Sequence, residues 1–412
     1  MPGPTKGSSV RSRSRRTLRA KIIVVPTVAL FLLAAACSSG SSGDSSSGAD
    51  AVADGSADKP ECSDDASIAG PALEPDGIVG QGPNGEAAAS PDDIAISAAD
   101  GEEIKAGNFE VALVFQFAGD WPNGQTRGLT DEFGKYGVKI VSNTEANFKV
   151  DKQIANIQNA IQLAPDGIIS IPVDDVATAP AYKKVAAAGI KLVFMDNAAQ
   201  GLEPGKDYQS VISADSQGNG QIAAAKLACY IPEGGTIGII DFGITFFVTN
   251  QRTKGVKDWF AENRPDVTIK EAAFTDPNQA GDVAANFLTA NPDVQGVFAV
   301  WDGPAAGVIA ALRAQGRDIP VTTIDLGDQA ATDIATGEYL KGVGAQRPYD
   351  QGVAEADAMM LSLIGTDVPD WIGVPSLAVV QNGLRQAYDD AWKKPLPATI
   401  EDACAKAEPA CG

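Results

Sequence analysis

Val-Phe-Ala-Val-Trp-Asp, residues 297–302, is an apolar run stopped by a carboxylate and followed by Gly303 and Pro304. A run of this length, bounded in this way, reads as a buried parallel strand that hands over to a loop. A helix over 305–314 follows. The same pattern recurs at 191–196, Lys-Leu-Val-Phe-Met-Asp, and at 321–325, Val-Thr-Thr-Ile-Asp. In open α/β sheets, ligands bind beyond the carboxyl ends of the strands. Asp196, Asp302 and Asp325, delivered to one sheet edge, therefore predict a polar site assembled from distant parts of the chain. Any one of them alone would be read as a loop residue or a helix N-cap.

Outward from these runs, strand and helix alternate. Strands are expected at 109–117, 138–142, 167–171, 190–195 and 210–214, and helices at 125–136, 150–163, 177–188 and 218–230. The pattern restarts with strands at 235–241, 268–273, 297–300, 321–324 and 342–345. Helices at 249–263, 279–290, 330–336 and 350–364 go with them. Two successive α/β halves predict two doubly wound parallel-sheet lobes with a cleft between them.

The bulk numbers fit that frame. The chain has 412 residues, 44% hydrophobic and 21% charged, which suits a globular body with room for two lobes. Net charge is −21; the first 36 residues carry seven Lys and Arg and no acid, so the remainder stands at −28. A body so acidic is repelled by nucleic acid. There is no His, which removes the commonest general base and metal ligand.

A basic region ending at Lys21 precedes an apolar run over 22–36, the pattern of a secretory signal and too short for a membrane span. Leu33-Ala34-Ala35-Ala36-Cys37 resembles a bacterial lipobox. That resemblance implies that residues 1–36 are removed and that Cys37 carries lipid at the outer face of the cell membrane. Ser14-Arg15-Arg16-Thr17-Leu18 loosely resembles a twin-arginine signal, so either export route is open. Residues 37–58, nearly all Ser, Gly, Ala and Asp after the Cys, should act as a flexible tether. A lead-in over 59–108 follows, with one helix expected at 91–105. Cys62, Cys229, Cys404 and Cys411 form an even set that favours disulfides in an exported chain, with three pairings open. Cys404 and Cys411 are close in sequence, and Cys62 with Cys229 would then pin the lead-in to the body. Wide spacing and the lack of His argue against a metal site.

Several phrases resemble one family when taken in order. Asp151-Lys152-Gln153 runs into Ala155-Asn156-Ile157-Gln158-Asn159, and Pro165-Asp166-Gly167-Ile168-Ile169 leads the third strand. Ala188-Gly189-Ile190 leads the strand to Asp196, and Asn291-Pro292-Asp293 the strand to Trp301-Asp302. Ala345-Gln346-Arg347-Pro348 stands where a domain crossover would fall. Residues 109–394 are thereby similar to the ribose-type periplasmic sugar-binding proteins, the solute receptors of bacterial ABC importers. LacI-type repressors share the fold but carry a DNA-binding segment where this chain has a signal.

The resemblance implies a type I periplasmic binding protein with a multi-stranded hinge. One lobe would be 109–213 plus 347–373, the other 214–346 plus 374–395, with a tail over 396–412. It implies ligand contacts at Asp196, Asp302, Asp325 and Gln346, with Trp121 and Trp301 covering the sugar and Asp120 beside them in a loop over 120–122. Asn197, Asn250, Arg252 and Thr275 complete the expected wall. Asn197 and Asn250 stand where relatives often have Arg, and Ile171-Pro172 where they have Asn-Pro. These departures lead away from ribose itself, toward a ligand with fewer hydroxyls, a larger apolar part or a positive charge. Burying an anion beside these carboxylates would be costly, so a neutral sugar or polyol is expected, an amine-bearing ligand is the outside possibility, and sugar phosphates, sugar acids and nucleotides are not expected. The implied protein is a monomeric receptor with no cofactor, a small-molecule ligand and an ABC permease as partner. A sensor feeding a membrane signalling protein is the alternative with the same site. A glycoside hydrolase using Asp302 and Asp325 would be the rival of another kind. It is disfavoured by the lack of a nucleophile–base pair, of His and of a Gly-rich phosphate loop.

Overall fold

The structure, a computed structural model, describes residues 77–407 and 411. The signal, Cys37, the tether and Cys62 lie outside the described residues. Helix α1 (Ala98–Gly107) leads into the first lobe, which alternates β1 (Glu110–Phe115), α2 (Asp120–Tyr136), β2 (Lys139–Glu145), α3 (Val150–Gln162), β3 (Gly167–Ser170), α4 (Ala179–Ala187), β4 (Lys191–Met195) and β5 (Ser210–Ala214). The second continues α5 (Ser216–Ala228), β6 (Thr236–Phe242), α6 (Phe247–Asn263), β7 (Thr268–Phe274), α7 (Ala280–Ala290), β8 (Gly296–Ala299), α8 (Asp302–Gln315), β9 (Val321–Ile324), α9 (Asp328–Thr336) and β10 (Leu340–Ala345). The chain then returns through α10 (Pro348–Leu363) and β11 (Trp371–Val374), and ends in β12 (Leu377–Val379), α11 (Leu384–Trp392) and α12 (Ala398–Lys406).

Each lobe holds a six-stranded sheet, ordered β11-β5-β4-β3-β1-β2 in the first and β12-β10-β9-β8-β6-β7 in the second. The orders are the same once β1–β5 are laid on β6–β10. The first sheet is parallel throughout. In the second, β12 pairs antiparallel with β10, which sequence reading did not anticipate. Central strands such as β3, β8 and β9 are buried along their whole length, whereas the edge strand β2 alternates exposed and half-buried residues. Their compositions differ in the same sense: continuous apolar or Thr-containing runs inside, an alternating Lys-Ile-Val-Ser-Asn-Thr-Glu at the edge.

The chain passes between sheets after Ala214, between Ala345 and Pro348, and between Val374 and Leu377. Asp215 sits at the first passage with no exposed surface. Its carboxylate caps α5 through the Gly218 N–H at 2.9 Å. It also accepts the N–H groups of Val79 and Gly80, at 2.8 and 3.0 Å, from the lead-in. The lead-in further adds a bridge from Ala89 to Ile372 on the edge strand β11.

The helix expected over 91–105 is two pieces, a 3-10 turn at Pro91–Ile94 and then α1. Ser90 with Asp93, and Ser97 with Asp100, each close a capping box, so each serine starts its own helix. The expected tail also needs correction: within 396–412, α12 is helical, buries Ile400 and Cys404, and is closed by a Cys404–Cys411 disulfide. Cys229 is disulfide-bonded as well.

Most helices facing the cleft begin earlier than their apolar periodicity suggests. Residues 120–122 are the first turn of α2, not a loop, and α8, α9 and α10 begin at Asp302, Asp328 and Pro348. Pro122 is tolerated because the first-turn N–H groups have no intrahelical partner.

Several helix pairs pack backbone to backbone through glycine. A Cβ on Gly220 of α5 would lie 2.1 Å from the Arg252 carbonyl oxygen of α6, and one on Gly128 of α2 would lie 2.1 Å from the Tyr349 carbonyl oxygen of α10. Gly220→Ala should therefore push α6 away and cost about 1–3 kcal/mol, as overpacking does. Because Arg252 reaches the cleft, the same change should weaken ligand binding. Chemical denaturation and a binding titration of the variant check both effects, with Gly134→Ala, where a Cβ meets nothing, as control.

Candidate functional site

A cavity of about 290 Å³ lies between the lobes at the carboxyl ends of both sets of strands. Asp120, Trp121 and Asp196 reach it from the first lobe, Arg252, Trp301, Asp302 and Asp325 from the second, and Gln346 from a crossing segment. The three aspartates thus do not share one sheet edge: Asp196 follows β4, while Asp302 and Asp325 follow β8 and β9 of the facing sheet.

The polar groups form a chain across the cleft. Trp121 donates its Nε1–H to Gln346 Oε1 at 3.3 Å, and Gln346 donates its amide to Asp325 Oδ1 at 2.6 Å. Arg252, 4% exposed, donates to Asp325 Oδ2 at 3.4 Å and to the Val300 carbonyl at 3.2 Å. Asp120 of α2 accepts the Asp328 N–H of α9 at 3.0 Å, so a carboxylate of one lobe caps a helix of the other. Asp302 accepts the Gly327 N–H at 3.0 Å. Asp196 accepts the Gln351 amide at 3.2 Å.

Burial pushes the Asp196 carboxyl up to about 7, with Asp325 adding to it and Arg252 opposing. Burial also pushes Asp302 up to about 7, with Asp325 and then Asp120 adding, and the Gly327 and Gly303 N–H groups opposing. In a low-dielectric cleft with one guanidinium among the lining groups, carboxylates hold protons that they would lose in water.

Rings supply the rest of the wall. Trp121 stacks on Phe117 with centroids 6.1 Å apart, and Phe117 stacks on Phe148 at 5.0 Å. Opposite them, Trp301 meets Phe242 edge-on at 5.4 Å. Trp392 from α11 closes one side, held by its indole N–H on the Leu326 carbonyl at 2.8 Å.

Three expected wall residues lie elsewhere. Asn250 is exposed and borders a separate surface pocket with Asp241 and Lys254. It is one helical step, about 100°, round from Thr249, which does line the cavity. Thr275 is exposed, because β7 is an edge strand and its end falls on the flank; Pro277 lines the cavity instead. Asn197 is buried between the lobes, where its Oδ1 accepts the Val248 N–H at 3.4 Å, and it is not part of the lining. Arg252 does reach the cavity, so a guanidinium is present after all. Phe117 and Phe242, at the ends of the central strands β1 and β6, were missed although the strand-end rule points to them. Phe148 and Trp392 carried no such signal.

Residues 111–367 match the family described as "Periplasmic binding protein domain". The chain belongs to that family. Like the ribose-type members, it carries two mostly parallel α/β lobes. This periplasmic binding protein is 28% identical over 249 residues to the ribose import binding protein RbsB of Bacillus subtilis, across 60% of this chain and 79% of that protein. Its fold is similar to an ABC transporter solute-binding protein from Agrobacterium vitis bound with alpha-D-tagatopyranose, with TM-score 0.64 and 22% identity over 69% of this chain and 100% of that one. A solute-binding protein from Mycobacterium smegmatis with bound glycerol gives TM-score 0.62 and 22% identity over 70% and 99%.

The raised carboxyls set the acid–base behaviour of this binding protein when its cleft is empty. A carboxyl near 7 in the folded state and near 4 in the unfolded chain is protonated only when folded between those values. Its contribution is therefore fully present at acid pH and lost as pH rises through about 7. The ligand-free melting temperature should fall between pH 5 and pH 8. Asp302→Asn, which keeps an acceptor for Gly327, should flatten that fall and raise the value at pH 8 by a few degrees, as differential scanning fluorimetry across pH would record.

Proposed function

We propose that the chain is an extracytoplasmic solute-binding protein that holds a small sugar or polyol between its lobes and presents it to an ABC importer. The observation that carries this reading is the interlobe cavity, where carboxylates and Gln346 face two banks of aromatic rings. Hydroxyl groups donate to carboxylates and accept from amides and guanidinium, while rings cover the apolar face of a sugar. The cross-cleft contacts of Trp121, Asp120 and Asn197 tie the lobes together around that space. Such proteins work by hinge closure on the ligand, with no bond made or broken.

A melting-shift screen of monosaccharides and polyols tests the reading. A ligand at about a hundred times its dissociation constant should stabilise the folded chain by about 2.7 kcal/mol. Asp302→Ala should lose most of the shift, since it removes an acceptor inside a closed site. Ligand recovered chemically unchanged after incubation would set aside a glycoside hydrolase. Sugar acids as the sole binders would sink the proposed cleft chemistry.

The lipobox spacing further supports an anchor at Cys37. Cys37→Ser should move the protein from the membrane fraction to the soluble fraction; retention on the membrane would exclude lipid at this residue as the anchor.

A further inference from the structure

Among the residues that line the cavity there are four carboxylates, Asp120, Asp196, Asp302 and Asp325, and one cation, Arg252. Arg252 is committed to Asp325 and to a backbone carbonyl. The other three accept hydrogen bonds from neutral donors: the Gln351 amide for Asp196, the Gly327 and Gly303 N–H groups for Asp302 and the Asp328 N–H for Asp120. Neutral donors satisfy lone pairs but supply no counter-charge, and the Arg252 guanidinium acts on Asp196 among these three.

Two of these carboxylates converge from opposite lobes. A Cβ placed on Gly327 would lie 2.6 Å from Asp302 Oδ2 and 2.9 Å from Asp120 Oδ2, so the two oxygens can be no further apart than those distances together. They take their N–H donors from successive residues, Gly327 and Asp328. Asp120 and Asp302 thus face each other from opposite lobes, and a proton kept on Asp302 relieves part of their mutual repulsion. An ammonium between them would relieve it too: it supplies a positive charge and three donors. Aromatic rings stand beside both carboxylates in sequence and in the cavity, Trp121 next to Asp120 and Trp301 next to Asp302, and ring faces attract cations as well as cover C–H groups.

A second observation bears on what else a ligand would meet. Arg252 is 4% exposed and lines the cavity, yet its Nε–H has no acceptor among the described residues. A buried N–H left without a partner calls for a ligand acceptor. Because Asp325 already balances the guanidinium charge, a neutral hydroxyl suffices there.

We propose that the cleft selects a sugar or polyol bearing a protonated amine, with the ammonium between Asp120 and Asp302 and a hydroxyl toward Arg252. The inference rests on the sugar-or-polyol reading and revises the expectation of a neutral ligand. It is tested by isothermal titration of the mature chain with matched pairs: glucosamine against glucose, galactosamine against galactose, and an aminodeoxyinositol against inositol. The N-acetylated forms serve as uncharged controls. In at least one pair the amine should bind ten-fold or more tightly than its parent, and N-acetylation should remove the advantage. Asp120→Asn and Asp302→Asn should each narrow the amine-to-parent ratio, and added salt should narrow it in the native chain. Parents that bind as well as their amines, with ratios indifferent to both substitutions, would overturn the amine preference and leave the sugar-or-polyol reading standing. Failure of amines and parents alike would remove both.

Discussion

Parallel pairing imposes one constraint on which everything else in this molecule depends. When strands run the same way and are joined by right-handed helical crossovers, every strand ends, and the next helix starts, at the same edge of the sheet. Two sheets wound in this way, the second with β12 as an antiparallel edge, share one strand order and are joined at three passages, which sets those edges against each other. The groups that arrive there are not chosen by proximity in sequence. Asp120, Asp196, Asp302 and Asp325 span more than two hundred positions, yet each sits within a residue or a few of a strand end or a helix start. The site is a by-product of winding, and its chemistry is set by which side chains occupy those few positions.

The matching strand order gives the cleft a hidden equivalence. β4 and β9 hold the same place in their sheets, and the residue after each is an aspartate in the left-handed region, Asp196 at φ 55 and Asp325 at φ 71. Non-glycine residues adopt that conformation rarely, aspartate more readily than most, and such strain gathers at functional positions. The environments then separate the two. Asp325 lies between Gln346 and Arg252, while Asp196 has the Gln351 amide and, deeper in its own lobe, Glu355. Glu355 has no exposed surface, and its carboxyl is raised well above the usual range by burial and then by Asp196. One aspartate is thus paired with a guanidinium, and its counterpart shares a buried acidic region that favours protons.

The fold was legible because its signals are periodic and repeated. Apolar runs closed by Asp or Gly marked the central strands, and their order alone fixed two lobes. Boundaries were less legible, since helix first turns here are polar or contain Pro: Asp120-Trp121-Pro122 looks like a loop to any reading based on apolar spacing. Site residues at strand ends could be found, as Asp196, Asp302 and Asp325 were. Residues on helices could be found only to within a turn: Arg252 faces the cavity while Asn250, two positions earlier, does not, and nothing local to the sequence chooses between them. Trp392 was invisible for a different reason. It comes from the late helix α11, and only tertiary packing brings that helix to the cleft.

The lead-in adds a constraint that the family match, which begins at residue 111, does not contain. Asp215 occupies the first passage between lobes, and four backbone groups converge on it: N–H groups of Val79, Gly80 and Gly218 on the carboxylate, and the Val374 carbonyl on its own N–H. Ser376 bonds to its carbonyl from the third passage. Two of the three passages are therefore fastened to each other through the backbone of one buried residue, whose side chain fastens them to the lead-in. Hinge motion requires a few residues to change their backbone angles while their neighbours stay packed. Val79 and Gly80 hold Asp215 from outside the β5–α5 turn, so any rotation there must carry the lead-in along or give up charge-assisted bonds in a buried setting. Among the described residues the second passage, through Gln346, has no comparable strap, and its side chain belongs to the cross-cleft chain instead. Gln346 therefore belongs at once to a passage between the lobes and to the cavity wall.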